Sequence, residues 1–198
     1  MQGLKVKFQE KLLSTGREGM ENAIKHLDRL GFFDAPASTK SHLNVKGGLM
    51  EHSWNVCNVA LMLREQMISM KPELADKLPV ESVIIASLLH DVCKSNIYKE
   101  TLLNRKNDQG YWEKVPGYEV DYTGLPLGHG KKSVIMLLTL GLKLTKDEML
   151  AIRWHMTAWE LAFQSPEQKA NLQKAREIAP LCVIVQCADG LASSLLEE

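Results

Sequence analysis

The sequence predicts an all-α domain. Apolar residues recur at helical spacing through most of the chain, glycine, proline and small polar residues mark the breaks, and strand-like alternation is confined to one short region. With 198 residues, 45% apolar and 24% charged, the chain has the length and composition of one domain with its own core. Lys and Arg number 24, as do Asp and Glu, for a formal net charge of +0. That balance argues against a broad basic surface gripping long nucleic acid, while leaving room for a local basic site.

The elements follow in order. Between residues 11 and 30, Leu12, Leu13, Met20, Ala23, Ile24, Leu27 and Leu30 fit one helical face, and Gly31 ends it. Residues 32–48, with Pro36, Ser38, Thr39, Ser41, Asn44 and the pair Gly47-Gly48, read as a loop. A second helix over 49–69 carries Val56, Val59, Ala60, Leu63 and Met67 on one stripe. Pro79 opens an apolar run over 83–89 that reads as a buried helix and stops at His90-Asp91. From 95 to 128 the helical pattern lapses. Residues 111–115 and 118–122, separated by Pro116-Gly117, read as a small hairpin or flap whose Trp112, Tyr118 and Tyr122 are placed to stack on a base.

Helical patterning returns over 127–140 and again over 146–163, where Thr145 with Glu148 makes a capping box. Ser165-Pro166 starts a short polar helix, and a final helix spans 180–196. Residues 1–41 are expected to pack an N-terminal helix and loop on a core formed by 42–198. The cysteines Cys57, Cys93, Cys182 and Cys187 include no C-x-x-C and read as reduced core thiols. No apolar run approaches the roughly 18 residues of a membrane span and the start lacks a signal-peptide core, so a soluble cytoplasmic chain is expected.

The histidines carry the chemistry. His52 falls in the first turn of the second helix, His90-Asp91 ends the next, His129 opens another, His155 lies in the following one and Asp189 in the last. Any one of them alone is an ordinary helical side chain. Asp91, however, interrupts an apolar run, where an unpaired carboxylate costs several kcal/mol unless a metal or cation meets it. Asp189, within Cys187-Ala188-Asp189-Gly190, repeats the problem. Two buried acids and neutral imidazoles suit a divalent cation, and helical bundles build such sites in their cores.

In this order, Gly47-Gly48-Leu49-Met50-Glu51-His52, His90-Asp91-Val92-Cys93-Lys94, Gly128-His129, Trp154-His155 and Ala188-Asp189 resemble the ligand motifs of the HD-domain superfamily of metal-dependent phosphohydrolases. The resemblance spans residues 42–193. It is closest to the HD cores of bacterial 3′-5′ exoribonucleases and of H-D-x-x-K phosphodiesterases. It implies a single HD-domain-like helical bundle with a short hairpin or flap insertion. It also implies that His52, His90, Asp91 and Asp189 hold one ion, and that Asp91, His129 and His155 hold a second.

His155-Met156 departs from the double histidine of several two-metal relatives, which leaves a single-ion site open. Oxygen and imidazole donors suit Mn, Fe, Co, Ni or Zn alike. The implied reaction is hydrolysis of a phosphomonoester or phosphodiester by a metal-activated water. Asp91 and Lys94 are then the catalytic residues, and Lys94, His42, Lys131, Lys132 and Arg153 the substrate-binding ones. Glu51 points about 100° away from His52 on the helix and reads as a solvent-side group, and His26 reads as structural. Exoribonuclease relatives couple the core to a separate nucleic-acid-binding domain, for which the chain has no room. A small phosphorylated partner, a nucleotide or short oligonucleotide, is therefore expected rather than long RNA. A non-catalytic metal- or nucleotide-binding regulatory module and an exoribonuclease-like activity are the alternatives.

Overall fold

Where the sequence predicts one helix between residues 11 and 30, the chain has α2 (Met20–Arg29) and only the end of α1 (Gln2–Leu13), a helix that lies mostly before the predicted range. Between them Gly16 and Gly19 take φ of 60° and 87°, a left-handed backbone that stops a helix. The computed structural model describes residues 2–40, 43–121, 124–157 and 165–197. The later helices are α3 (Gly48–Met70), α4 (Val80–Leu89), α5 (His129–Thr139), α6 (Lys146–Trp154), α7 (Pro166–Ile178) and α8 (Leu181–Leu195). Short 3-10 turns cover Pro72–Lys77 and Val92–Asn96. The fold is mostly helical, as the patterning predicts.

α4 is the central element. It packs against α3, α6 and α8, and Val83, Ile85, Ala86, Leu88 and Leu89 are fully buried. At about 1.5–3 kcal/mol for each large apolar side chain, this burial fixes the helix, so its C-terminal end carries His90 and Asp91 into the interior. α1 adds Phe8 and Leu12, and α2 adds Met20, Ala23, Ile24 and Leu27, to the same core. Phe8, Phe32 and Phe33 form a ring cluster with centroids 5.3 to 5.6 Å apart.

The predicted hairpin is present, with its turn elsewhere. β1 (Tyr98–Lys106) pairs antiparallel with β2 (Trp112–Val120), from Tyr98 opposite Val120 to Lys106 opposite Trp112. Pro116-Gly117 lies inside β2 opposite Leu102 and Thr101. A two-stranded ribbon has only edge strands, so a proline is tolerated there. The turn is made by Asn107, whose Oδ1 accepts from the Gln109 and Tyr111 amides at 3.1 and 3.0 Å, with Gly110 at φ 84°.

α6 begins with the predicted capping box, Thr145 Oγ1 accepting from the Glu148 amide at 3.2 Å and Glu148 Oε2 from the Thr145 amide at 2.8 Å. Glu148 also accepts from Arg17 Nη2 and Ser82 Oγ, each at 2.6 Å. α6 ends at Trp154, short of the predicted 163, and residues 158–164 lie outside the described residues. α7 is 13 residues long rather than short. Cys57, Cys93 and Cys182 are buried free thiols, but Cys187 is exposed, contrary to expectation. Among the described residues no single helix is long and apolar enough to cross a membrane.

Two glycines set close approaches that matter for the histidines. A Cβ on Gly48 would lie 2.1 Å from the Leu43 carbonyl oxygen, so glycine lets that loop fold over the start of α3. A Cβ on Gly130 would lie 2.3 Å from the Arg153 carbonyl oxygen. Glycine there seats the first turn of α5 against the end of α6, bringing His129 beside His155.

Candidate metal centre

Four helix ends and the middle of α8 deliver the polar groups. His52 comes from the first turn of α3, His90 and Asp91 from the end of α4, His129 from the start of α5, His155 from the end of α6 and Asp189 from α8. His52, His90, Asp91 and His155 are buried, and His129 and Asp189 half-buried. All six residues proposed from the sequence as ligands converge. The described groups that offer metal-ligating atoms within 4.8 Å of one another are His52 with His90 and Asp91, His90 with His155 and Asp189, and Asp91 with His129 and His155.

The two oxygens of Asp91 face different partners. Oδ2 lies 3.4 Å from His90 Nε2 and 3.7 Å from His52 Nε2. Oδ1 lies 3.2 Å from His155 Nε2 and accepts from His129 Nε2. Asp189 Oδ1 stands 3.4 Å from His52 Nε2, and the Nε2 atoms of His52 and His90 are 3.3 Å apart. Lys94, one turn beyond Asp91, places Nζ 2.7 Å from Asp91 Oδ2.

The opposite ring nitrogens are tied down. His90 Nδ1 is 2.7 Å from the Ser87 carbonyl oxygen and His155 Nδ1 2.7 Å from that of Ile152. His52 Nδ1 is 2.8 Å from Glu197 Oε2. A carbonyl or carboxylate oxygen accepts only, so in the neutral rings each Nδ1 carries the proton and each Nε2 presents a lone pair. Lone pairs and carboxylate oxygens therefore point at one another.

Protons relieve part of that crowding. Burial would lower the His52 imidazole, but its hydrogen bonds to Asp189 and Glu197 and the charge of Asp91 bring it up to about 9. Burial likewise opposes protonation of His129, and Asp91 outweighs it, lifting the ring to about 10. Burial disfavours the charges of Asp91 and Asp189, yet Lys94, His90 and His129 hold Asp91, and the hydrogen bond from His52 holds Asp189, well below the usual carboxylate range. Lys94 is raised against burial by Asp91, while burial pushes His155 down. His155 Nε2 stays buried without a hydrogen-bond partner. An acceptor-rich pocket with such an orphaned imidazole nitrogen fits a divalent cation.

A family model described as HD domain matches residues 49–194. The chain belongs to the HD-domain family. No curated protein and no solved structure matches it.

The cleft of this HD domain has a volume of about 320 Å³, lined by His52, Asp91, Lys94 and His155 together with Met156, Thr157, Gln186, Asp189, Gly190, Ser193 and Ser194. Met156, which stands where several two-metal relatives have a second histidine, is part of that lining. A larger cavity of about 690 Å³ between β1, β2 and residues 44–46 contains none of the six converging residues.

Three residues proposed from the sequence as substrate-binding, Lys131, Lys132 and Arg153, are not among the lining. Lys131 is exposed, Lys132 is buried with Nζ 3.4 Å from Asn96 Oδ1, and the Arg153 guanidinium stacks 4.0 Å over the Trp154 ring. His42 and Tyr122 lie outside the described residues. Glu51 is exposed and His26 bonds the Asn22 carbonyl of its own helix.

The structure also brings in groups that sequence reasoning passed over. Glu197 reaches His52, and the buried Cys93 thiol lies 3.3 Å from His129 Nδ1. The sequence signal for Cys93 was its place inside the His90-to-Lys94 motif; Glu197, 145 residues from His52, gave none.

Proposed function

We propose that this HD domain is a divalent-metal-dependent phosphohydrolase acting on the phosphomonoester or phosphodiester of a nucleotide or short oligonucleotide. Family membership and the His/Asp cluster fit a metal-dependent phosphohydrolase. The observation that carries the reading is the division of Asp91, Oδ2 toward His52 and His90 and Oδ1 toward His129 and His155, with the Lys94 ammonium beside it. His52, His90, Asp91 and Asp189 would hold one ion, and Asp91, His129 and His155 another. Divalent ions of the Mn, Fe, Co, Ni or Zn class supply Lewis acidity toward phosphoryl oxygens and lower the pKa of water.

The remaining steps belong to the chain. Lys94 places a fixed positive charge where negative charge gathers on a transferring phosphoryl group. Ser193 donates to the Asp189 carbonyl oxygen at 2.8 Å, so its hydroxyl is committed to its own helix rather than to attack. Thr157, Gln186 and Ser194 offer neutral hydrogen-bonding groups to a sugar or base. A volume of about 320 Å³ is at the small end of ligand pockets, which favours one small phosphoester over a long polymer.

The test is a hydrolysis panel of nucleoside monophosphates, cyclic nucleotides and short oligonucleotides with Mn²⁺, Co²⁺, Ni²⁺ or Zn²⁺. Phosphate release or diester cleavage is expected with at least one substrate, and its loss in His90→Ala and Asp91→Ala. Unchanged activity in those variants would overturn the reading. Met156 in the cleft favours a second reading, a metal-binding module without turnover, for which ions would bind and no substrate would be cleaved.

A further inference from the structure

Glu197 sits in an inverted position. It is 4% exposed, whereas its two preceding neighbours, Leu195 and Leu196, are 69% and 59% exposed. At the end of α8 the chain thus buries a carboxylate and leaves two leucines exposed, the reverse of what apolar burial alone would select. A buried carboxylate persists only where donors meet it. Both oxygens are met by α3: Oε2 is 2.8 Å from His52 Nδ1, and Oε1 accepts from Asn55 Nδ2 at 3.0 Å. Asn55 follows His52 by three residues, on the same helical face.

α8 and the residues just past it therefore engage both nitrogens of one imidazole. Asp189 approaches Nε2 and Glu197 bonds Nδ1. His90 and His155 are oriented differently, their Nδ1 atoms resting on backbone carbonyls. His52 alone of these three has a carboxylate as its orienting acceptor, a partner that fixes tautomer and ring angle and makes the opposite nitrogen a stronger donor to a metal.

We infer that Glu197 is the positioning residue of this centre: held by Asn55, it orients His52 and strengthens it as a ligand for a divalent ion. The inference rests on the metal-centre reading proposed above. Glu197 touches neither ion nor substrate, and acts through the imidazole.

The test uses the full chain and Mn²⁺, with affinity measured by competition against a chelator, without turnover. Glu197→Ala is expected to bind Mn²⁺ 10–100-fold more weakly, the range for lost carboxylate partners of ligating histidines. Glu197→Gln, which keeps the size and one acceptor oxygen for His52 Nδ1 but neither the charge nor the acceptor facing Asn55 Nδ2, should fall between it and the parent. It also serves if the alanine variant does not fold.

A second readout isolates the hydrogen bond. With Zn²⁺ bound, the His52 Nδ1 proton should give a downfield, exchange-protected NMR resonance in the parent and in Glu197→Gln, and lose it in Glu197→Ala. Parent-like Mn²⁺ affinity in both variants, or a protected His52 proton persisting in Glu197→Ala, would overturn the inference while leaving the metal centre intact. A parent chain that binds no Mn²⁺ would overturn the metal centre itself.

Discussion

The Lys94 ammonium lies 2.7 Å from Asp91 Oδ2, the same oxygen that faces His52 and His90. A lysine there neutralises Asp91 when no ion is bound, and repels an ion that approaches the same oxygen. Lys94→Met should accordingly tighten Mn²⁺ binding several-fold, lower the melting temperature of the metal-free chain and reduce kcat/KM for a phosphoester by about 10–100-fold, some 1.4–2.8 kcal/mol of lost transition-state stabilisation. Metal titration, melting and steady-state kinetics check the three parts. Weaker Mn²⁺ binding in Lys94→Met would contradict this role.

The pH dependence of the metal-free chain follows from the same cluster. His52 and His129 are raised from 6.5 to about 9 and about 10, so they bind protons more tightly folded than unfolded. Their contribution is fully present below pH 6.5 and is lost as pH climbs through 9 and 10. His155, pushed down by burial, works against the fold below 6.5, where the unfolded chain takes up a proton that the folded chain resists. Asp91 and Asp189, depressed below 3.8, contribute above that value and lose it in acid. Melting temperature without metal should fall between pH 6.5 and 9.5. Metal ligands must shed these protons, so the gain in melting temperature on adding Mn²⁺ should grow over that range. A metal-free melting temperature that stays flat there would contradict the assignment.

Gly130 sets the distance between His129 and His155. In Gly130→Ala the added methyl carbon meets the Arg153 carbonyl oxygen at 2.3 Å unless α5 moves away from α6. The variant should lose about 1–3 kcal/mol of stability and bind Mn²⁺ less tightly, as read by urea unfolding and metal titration. Parent-like values in both would show that the close approach is not required.

Glu148 makes a contrasting prediction. It joins Arg17, Ser82 and the start of α6, and Glu148→Leu strands a largely buried guanidinium. A loss of about 3 kcal/mol in urea unfolding is expected, with Mn²⁺ affinity of the folded chain unchanged because Glu148 belongs to none of the ligand groups. A fall in Mn²⁺ affinity without loss of stability would reverse that assignment.

Of the six converging residues, Asp91 is legible because it ends an apolar run, and His129 and His155 because they stand at helix boundaries where glycine and tryptophan mark the packing. The hairpin turn was misplaced because Pro116-Gly117 carries a strong turn signal, whereas an isolated ribbon accepts proline along its edge and Asn107 with Gly110 makes the turn. One N-terminal helix was expected because apolar spacing continues across Gly16 and Gly19, whose left-handed backbone breaks it. Lys131, Lys132 and Arg153 are close in sequence to His129 and His155, but neighbours on a helix point in different directions. Glu197 was invisible for a different reason. Its role exists only once α8 lies along α3.

Metal content measured by elemental analysis after Mn²⁺ loading and removal of free ion bears most directly on Asp91 as the shared carboxylate of the centre. Two ions per chain are predicted for the parent, and none for an Asp91→Ala variant whose fold is verified by circular dichroism. An Asp91→Ala chain that keeps the parent's full complement of ions would contradict the account.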